Sequence, residues 1–208
     1  ANLREKRRAA TDSSPLLIVL SGPSGAGKDA VLTRIKRSGH RLHYVVTATT
    51  RPKRDREKDG VNYDFLSRKE FQQMLNKGRF LEWANVYGNY YGVPKTQITS
   101  ALSKGIDTIV KVDVQGAAAI KKVMPQAVFI FLIPPSMDAL ERRLKRRRSE
   151  SPEELALRLE KAREEMRSLP LFDYVLTSRQ NKLDEVVSQI DAIIATEKRR
   201  VKPRTVRL

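Results

Sequence analysis

The run Gly22, Pro23, Ser24, Gly25, Ala26, Gly27, Lys28 constrains this chain more tightly than any other part of it. An apolar stretch, Leu16 to Leu20, enters the run, and Ala30, Val31, Leu32 and Ile35 follow it at helical spacing. Strand, glycine-rich turn and helix in that order define a phosphate-binding loop. Its glycines allow close backbone approach, its successive amides point at phosphate oxygens, and the following helix presents its positive end. Lys28 then reaches the terminal phosphates of a bound nucleoside triphosphate. The motif commonly closes on Ser or Thr, whose hydroxyl binds magnesium, but this chain has Asp29. A carboxylate can ligate magnesium directly, yet it also sets a negative charge beside the nucleotide phosphates, so a compensating cation is expected.

The rest of the chain alternates in the same sense. Tyr44 to Thr49, Thr108 to Val114, Ala127 to Ile133 and Tyr174 to Thr177 are β-branched or aromatic runs, separated by helix-like stretches near 116–123, 136–148, 152–168 and 182–200. Such alternation, with near-continuous apolar strands, predicts a three-layer α/β core around a parallel sheet. The pattern changes over 51–95, where Asn62 to Leu66, a helix near Arg68 to Lys77, and Phe80 to Val86 with Asn89 to Val93 around Gly88 read as a small inserted α+β subdomain. Ser149 to Pro152 joins two strongly charged helices, which predicts a mobile helical lid over 135–168. The domain is expected to span 16–198, with core segments 16–50, 96–134 and 169–198. Basic tails at 1–15 and 199–208 read as solvated.

Composition narrows the partners. A chain of 208 residues can bury one substantial core, and its 40% hydrophobic and 31% charged content excludes a mainly disordered protein. The longest apolar runs fall far short of the roughly 20 residues that cross a membrane, so no membrane partner is expected. Arg4 to Arg8 is followed by polar Thr11 to Ser14 instead of a hydrophobic signal core, which makes cytoplasm the expected compartment. Without cysteine, disulfides and thiol chemistry are excluded. The formal net charge of +17 favours polyanionic partners, either free nucleotides or nucleic acid backbones.

Five segments together resemble the guanylate kinase family in order and spacing. They are Ser-Gly-Pro-Ser-Gly-Ala-Gly-Lys at 21–28, Thr-Ala-Thr-Thr-Arg-Pro-Lys-Arg at 47–54, Phe-Leu-Glu-Trp-Ala at 80–84, Gly-Asn-Tyr-Tyr-Gly at 88–92 and Val-Asp-Val-Gln-Gly at 112–116. The resemblance covers Leu16 to Ala195. It implies a P-loop NTPase core with a GMP-binding insert and a helical lid, phosphoryl transfer from ATP to GMP or dGMP giving ADP and GDP, and magnesium as cofactor.

Residue by residue, the resemblance assigns Gly22 to Asp29 to ATP. It gives Arg51, Arg54, Tyr63 and Tyr91 to the GMP phosphate, for which guanidinium forks are suited. Both arginines are expected just past the end of a core strand, where ligands bind in open α/β sheets. Glu82 is the candidate acceptor for the N1 and N2 hydrogens of guanine, which adenine cannot match, with Thr47 and Asp113 completing that environment. Lys28, Arg51, Arg143, Arg147 and Arg158 are the candidate catalytic cations. Arg143 and Arg147 lie four apart on one helical face, and Arg158 lies on the next helix. Lid arginines of this kind close over the ATP phosphates and stabilise transferring charge. Val93 stands where the family has Ser or Thr, so that guanine contact is absent or supplied by another group. Ser178 and Arg179 stand where asparagine and an acid are common, which leaves the donor base open.

Ile109, Lys111 and Asp113 are expected on one face of their strand. Many guanylate kinases have an acid at the Lys111 position, so two charge changes meet in this chain. Two readings follow for Asp29: a direct or water-mediated magnesium ligand, or a partner of Lys111 that leaves the metal to phosphates and water. The second is preferred, and the two charge changes are expected to compensate, with Lys111 pairing with Asp29 or approaching a phosphate, because an unpaired ammonium in a buried strand is costly. Two other functional classes compete with a kinase. One is an interaction domain that binds phosphorylated peptide without catalysis, against which the intact glycines and Lys28 count. The other is a nucleic-acid binder, which leaves Glu82 and Tyr91 without a role.

Overall fold

The computed structural model describes residues 14–55, 57–86, 88–145 and 152–206. The chain begins with β1 (Leu17–Ser21), α1 (Lys28–Arg37), β2 (His43–Tyr44), β3 (Ala48–Thr49), β4 (Asp64–Phe65) and α2 (Arg68–Asn76). There follow β5 (Phe80–Val86), β6 (Asn89–Pro94), α3 (Lys95–Ser103), β7 (Thr108–Lys111), α4 (Val114–Val123) and β8 (Val128–Ile133). The last elements are α5 (Met137–Lys145), α6 (Pro152–Met166), β9 (Tyr174–Thr177) and α7 (Leu183–Glu197).

Five strands form a parallel sheet in the order β2-β7-β1-β8-β9. The central strand β1 is buried along its whole length, which is why its sequence is apolar without alternation. Alternate β1 residues face opposite layers. Leu16, Ile18 and Leu20 pack with Val31 and Ile35 of α1 and with Val186 and Ile190 of α7, whereas Leu17 and Val19 pack with Ile98 of α3 and Ala117 and Ile120 of α4. These two clusters make the expected three layers. Because β1 pairs with β7 and β8 through Leu20 opposite Lys111 and Ile130, its carboxyl end opens into the middle of the sheet edge. Ligands of such sheets bind at that edge.

The second sheet has the order β4-β3-β6-β5. Its hairpin β5–β6 turns at Gly88, whose φ of 79° suits a residue without Cβ. A capping box between Ser67 and Glu70 starts α2, and Phe71 of that helix stacks on Phe80 with ring centroids 4.5 Å apart. The continuous core strand expected over Tyr44 to Thr49 is two strands. His43–Tyr44 joins the core sheet at its edge, and Ala48–Thr49 joins the insert. The cause lies at Val46, whose N–H donates to Gln97 Oε1 at 2.8 Å and whose carbonyl accepts from Gln97 Nε2 at 3.0 Å. A side chain on α3 thus replaces the ladder, and the chain crosses between sheets there. Arg51 and Arg54 consequently follow a strand of the insert, not of the core, and the insert sheet takes its first strand from before residue 51.

Strand β7 also ends earlier than expected. It stops at Lys111, and Asp113 caps α4 by accepting from the Gly116 N–H at 2.8 Å. In the lid, Leu140 and Leu144 of α5 pack against Ala162 of α6, while residues 146–151 lie outside the described residues. So do residues 1–13 of the basic N-terminal tail. No helix among the described residues is long and apolar enough to cross a membrane.

The C-terminal tail, expected to be solvated, is docked. Arg204 Nε donates to Glu197 Oε2 at 2.8 Å and its Nη1 to the Ala127 carbonyl at 2.9 Å, while Val206 packs on the core. Glu197 is only 1% exposed, which explains the arrangement: a buried carboxylate needs a charged partner. Tyr174 contributes a second donor at 2.6 Å. Removing the guanidinium with Arg204→Ala is expected to cost about 2–3 kcal/mol of folding stability, read as a lower urea midpoint with an unchanged slope.

Candidate active site

Gly22 opens the loop in a conformation only glycine tolerates well, with φ of 143°, and a Cβ there would sit 2.1 Å from the Leu132 carbonyl oxygen of β8. The loop then turns so that the Lys28 ammonium donates back to the Gly22 carbonyl at 2.5 Å and to Pro23 at 3.2 Å. Burial lowers the Lys28 pKa to about 8, against the opposing pull of Glu165 and Asp29. Its charge is therefore held loosely by the loop carbonyls.

The lid reaches the loop through α6. Arg158 Nη2 donates to Ser24 Oγ at 2.7 Å, and Glu165 Oε2 accepts from the Ser24 N–H at 3.1 Å. Glu165 escaped the sequence reading. Its only signal was its place seven residues after Arg158, two turns along the same helical face. Burial pushes its pKa up, although the Ser24 N–H and the Lys28 ammonium favour the ionised form. An acid thus sits on a loop amide of the kind that receives phosphate oxygens. Arg143 does not join the main cleft. Its guanidinium donates to the carbonyls of Ala26 at 3.0 Å and Ser178 at 2.5 Å, because α5 packs Leu140 and Leu144 against the loop at Gly25. It borders a smaller cavity beside Arg142, Arg179 and Gln180. Arg147 lies outside the described residues.

A cleft of about 750 Å³ runs from the loop to the insert, and its lining includes Lys28, Asp29, Thr47, Arg51, Arg54, Tyr63, Glu82, Tyr91, Asp113 and Arg158. At the insert end, Arg51 Nη2 donates to both oxygens of Glu57, at 2.8 and 3.0 Å, and the Arg54 N–H adds a third bond at 2.9 Å. Burial opposes ionisation of Glu57, but these hydrogen bonds prevail and hold its pKa below the usual value. Glu57 was a second omission of the sequence reading; it lies six residues past Arg51 in a loop with no periodicity to flag it. The Arg51 guanidinium lies 5.4 Å from the Tyr63 ring, and Tyr63 and Tyr91 meet edge-on at 6.0 Å.

Glu82 is 8% exposed, and its Oε2 has no hydrogen-bond partner among the described residues. Burial, with a smaller contribution from Asp113, raises its pKa to about 8. Gly116 makes room for it: a Cβ there would come within 2.9 Å of Glu82 Oε1 and 3.1 Å of Val112 Cβ. Thr47 is buried beside it and donates to the Lys111 carbonyl at 3.4 Å. Val93, opposite Glu82 on the neighbouring strand, turns its side chain into the core. A buried carboxyl with an orphaned oxygen is costly unless a ligand supplies donors.

Between the two ends, Lys111 Nζ lies 2.5 Å from Asp29 Oδ1 and 2.8 Å from the Tyr63 hydroxyl. Burial works against its charge, but the Asp29 carboxylate and Tyr63 outweigh it, so the pKa is raised. No cluster of three or more potential metal-ligating side chains occurs among the described residues. Asp29, the carboxylate next to the loop lysine in sequence, is held at ion-pair distance by Lys111.

A phosphate loop on the central strand, a cationic insert facing it across one cleft, and a lid helix touching the loop define a P-loop phosphotransferase of nucleotides. The family model for guanylate kinase matches residues 14–197, and the chain belongs to the guanylate kinase family. It is 43% identical over 195 residues to guanylate kinase 2, chloroplastic/mitochondrial, of Oryza sativa subsp. japonica, covering 93% of this chain and 68% of the relative. It is 41% identical to a guanylate kinase of Carboxydothermus hydrogenoformans, covering 92% of each. The crystal structure of guanylate kinase from Anaplasma phagocytophilum superposes with a TM-score of 0.75 at 30% identity, covering 92% of this chain and 90% of that one.

The depressed Lys28 pKa carries a pH signature. In the free protein its charge is lost as pH rises through about 8, whereas phosphate binding requires the ammonium. Affinity for a nucleoside triphosphate, measured by calorimetry, should be flat below that pH and fall above it by up to about tenfold per unit.

Proposed function

We propose that this protein transfers the γ-phosphoryl group of ATP to GMP or dGMP, with magnesium, giving ADP and GDP or dGDP respectively. The observation that carries this reading is the one cleft in which a phosphate loop faces a buried carboxyl oxygen on Glu82 that has no partner among the described residues. Guanine presents two adjacent donors, at N1 and N2, that match the two oxygens of one carboxylate. Adenine presents an acceptor at N1, so it would leave Glu82 unsatisfied.

Loop amides from Gly22 to Asp29 and the Lys28 ammonium bind the ATP phosphates. Arg51, Arg54, Tyr63 and Tyr91 hold the acceptor phosphate, which requires Arg51 to exchange Glu57 for it. Thr47 and Asp113 support the base site. An acceptor phosphate oxygen attacks the γ-phosphorus, the bond to the β,γ-bridging oxygen breaks, and ADP leaves; no covalent protein intermediate is needed. Arg158, already on Ser24, supplies positive charge, and the lid arginines Arg143, which would first have to leave the Ala26 and Ser178 carbonyls, and Arg147 add to it as the lid closes. Magnesium would neutralise charge on the β and γ oxygens, with Asp29 as its neighbour on the protein. The cytoplasm is the proposed compartment, and the +17 charge is read as serving nucleotides over nucleic acid.

A coupled assay of ADP formation tests the reading. GMP and dGMP should support turnover, and AMP and UMP should fall at least ~100-fold lower in kcat/KM. Lys28→Met should reduce kcat by about 100-fold or more. Absence of GMP-stimulated ADP formation would overturn the assignment.

Glu82 gives a second, independent test. Below about pH 8 its carboxyl is mainly protonated in the free protein, while guanine donors stabilise the ionised form. GMP binding at neutral pH should therefore release a proton, and GMP affinity should rise as pH approaches that value. Calorimetry in two buffers of different ionisation enthalpy reads the release, which Glu82→Gln should abolish.

A further inference from the structure

Lys111 ends β7 directly beside the carboxyl end of β1, and the Val112 N–H donates to the Leu20 carbonyl at 3.2 Å. Its backbone is thus fixed by the same sheet that fixes the phosphate loop. The ammonium meets two elements that belong to opposite halves of the cleft. Asp29, in the first turn of α1, is on the loop side; Tyr63, just before β4, is on the insert side. The Tyr63 ring in turn carries two cations, Lys111 at 4.2 Å and Arg51 at 5.4 Å from its centroid. One aromatic side chain therefore separates Lys111 from the arginine proposed for the acceptor phosphate.

The pair with Asp29 is asymmetric. The Lys111 side chain is 11% exposed and that of Asp29 is 70% exposed. A buried ammonium held by a rigid strand keeps its place, whereas a solvated carboxylate can return to water at small cost. An ammonium has three donors, of which Asp29 and Tyr63 take two, and Lys111 lines the cleft. A phosphate arriving beside it offers a stronger, multiply charged acceptor than one screened carboxylate.

We propose that Lys111 is a catalytic residue of the phosphoryl transfer, its ammonium exchanging Asp29 for phosphate oxygens between the donor loop and the acceptor site. This rests on the kinase reading above. The competing role is purely local: Lys111 neutralises Asp29 and does nothing else.

The two roles separate in a double-mutant cycle of Lys111→Met and Asp29→Ser, with kcat and KM for GMP measured at saturating ATP. Calorimetry of GMP binding without ATP and with metal chelated supplies a readout apart from turnover. If Lys111 serves the phosphates, Lys111→Met lowers kcat by roughly 10- to 100-fold, the scale of a charged hydrogen bond. It also weakens metal-free GMP binding, and the double variant remains as slow as Lys111→Met. Lys111→Arg restores part of the loss because the charge is kept. Thermal melts accompany each variant, and Lys111→Gln assayed below its midpoint replaces Lys111→Met should the latter fold poorly. Recovery of wild-type turnover in the double variant would sink the proposal, as would unchanged kcat and GMP affinity in Lys111→Met. A wild-type protein that neither binds GMP nor turns it over instead overturns the kinase reading, and this inference with it.

Discussion

Burial of β1 on both faces and along both edges is the constraint on which the rest depends. A strand with β7 on one side and β8 on the other cannot shift without breaking two ladders and two apolar clusters. Everything chemical in the cleft is referenced to it. The loop begins where β1 ends, Gly22 is pressed against the Leu132 carbonyl of β8, and Lys111 is the β7 residue opposite Leu20. Helices α1 and α4 start from the same edge, so that Asp29 and Asp113 enter the cleft from first-turn and cap positions of rigid elements.

The charges of the cleft are largely satisfied by the protein itself. Glu57 occupies Arg51, Glu165 occupies the Ser24 amide, Asp29 occupies Lys111, and carbonyls of the loop hold Lys28. On the proposed reading, each of these internal partners stands in for a phosphate oxygen or for the lysine contact to one. On that reading, binding a nucleotide is then an exchange of partners more than a creation of contacts, which moderates affinity, and the acids that line the cleft with its cations offset their mutual repulsion. Glu82 is the exception. Its orphaned oxygen has no internal substitute among the described residues, so at the proposed base site ligand binding would add an interaction outright.

Local patterns carried much of the reading. The phosphate loop was legible because strand, glycines, lysine and helix are adjacent in sequence, and the three layers because buried parallel strands leave continuous apolar runs. The Asp29 and Lys111 proximity was anticipated from charge logic, and the coordinates set the two groups at ion-pair distance. What local pattern could not carry were contacts made by side chains across long sequence separations. Gln97 ends a strand 51 residues earlier by capturing both backbone groups of Val46. Arg204 turns an apparently solvated basic tail into a docked one because Glu197 is buried. Glu57 and Glu165 are acids in charged surroundings, where composition suggests solvated surface and only tertiary placement reveals partners.

The clip at Val46 has a mechanical meaning. Gln97 sits on α3, immediately after the last strand of the insert, while Val46 immediately precedes its first, so a pair of hydrogen bonds shackles the entry of the insert to its exit. Two chain crossings that could flex separately are thereby tied into one pivot. Any swing of the insert about that pivot would carry Arg51, Tyr63 and Tyr91 together as a single jaw and leave the parallel sheet undisturbed. The tether between Lys111 and Tyr63 spans the mouth of that jaw.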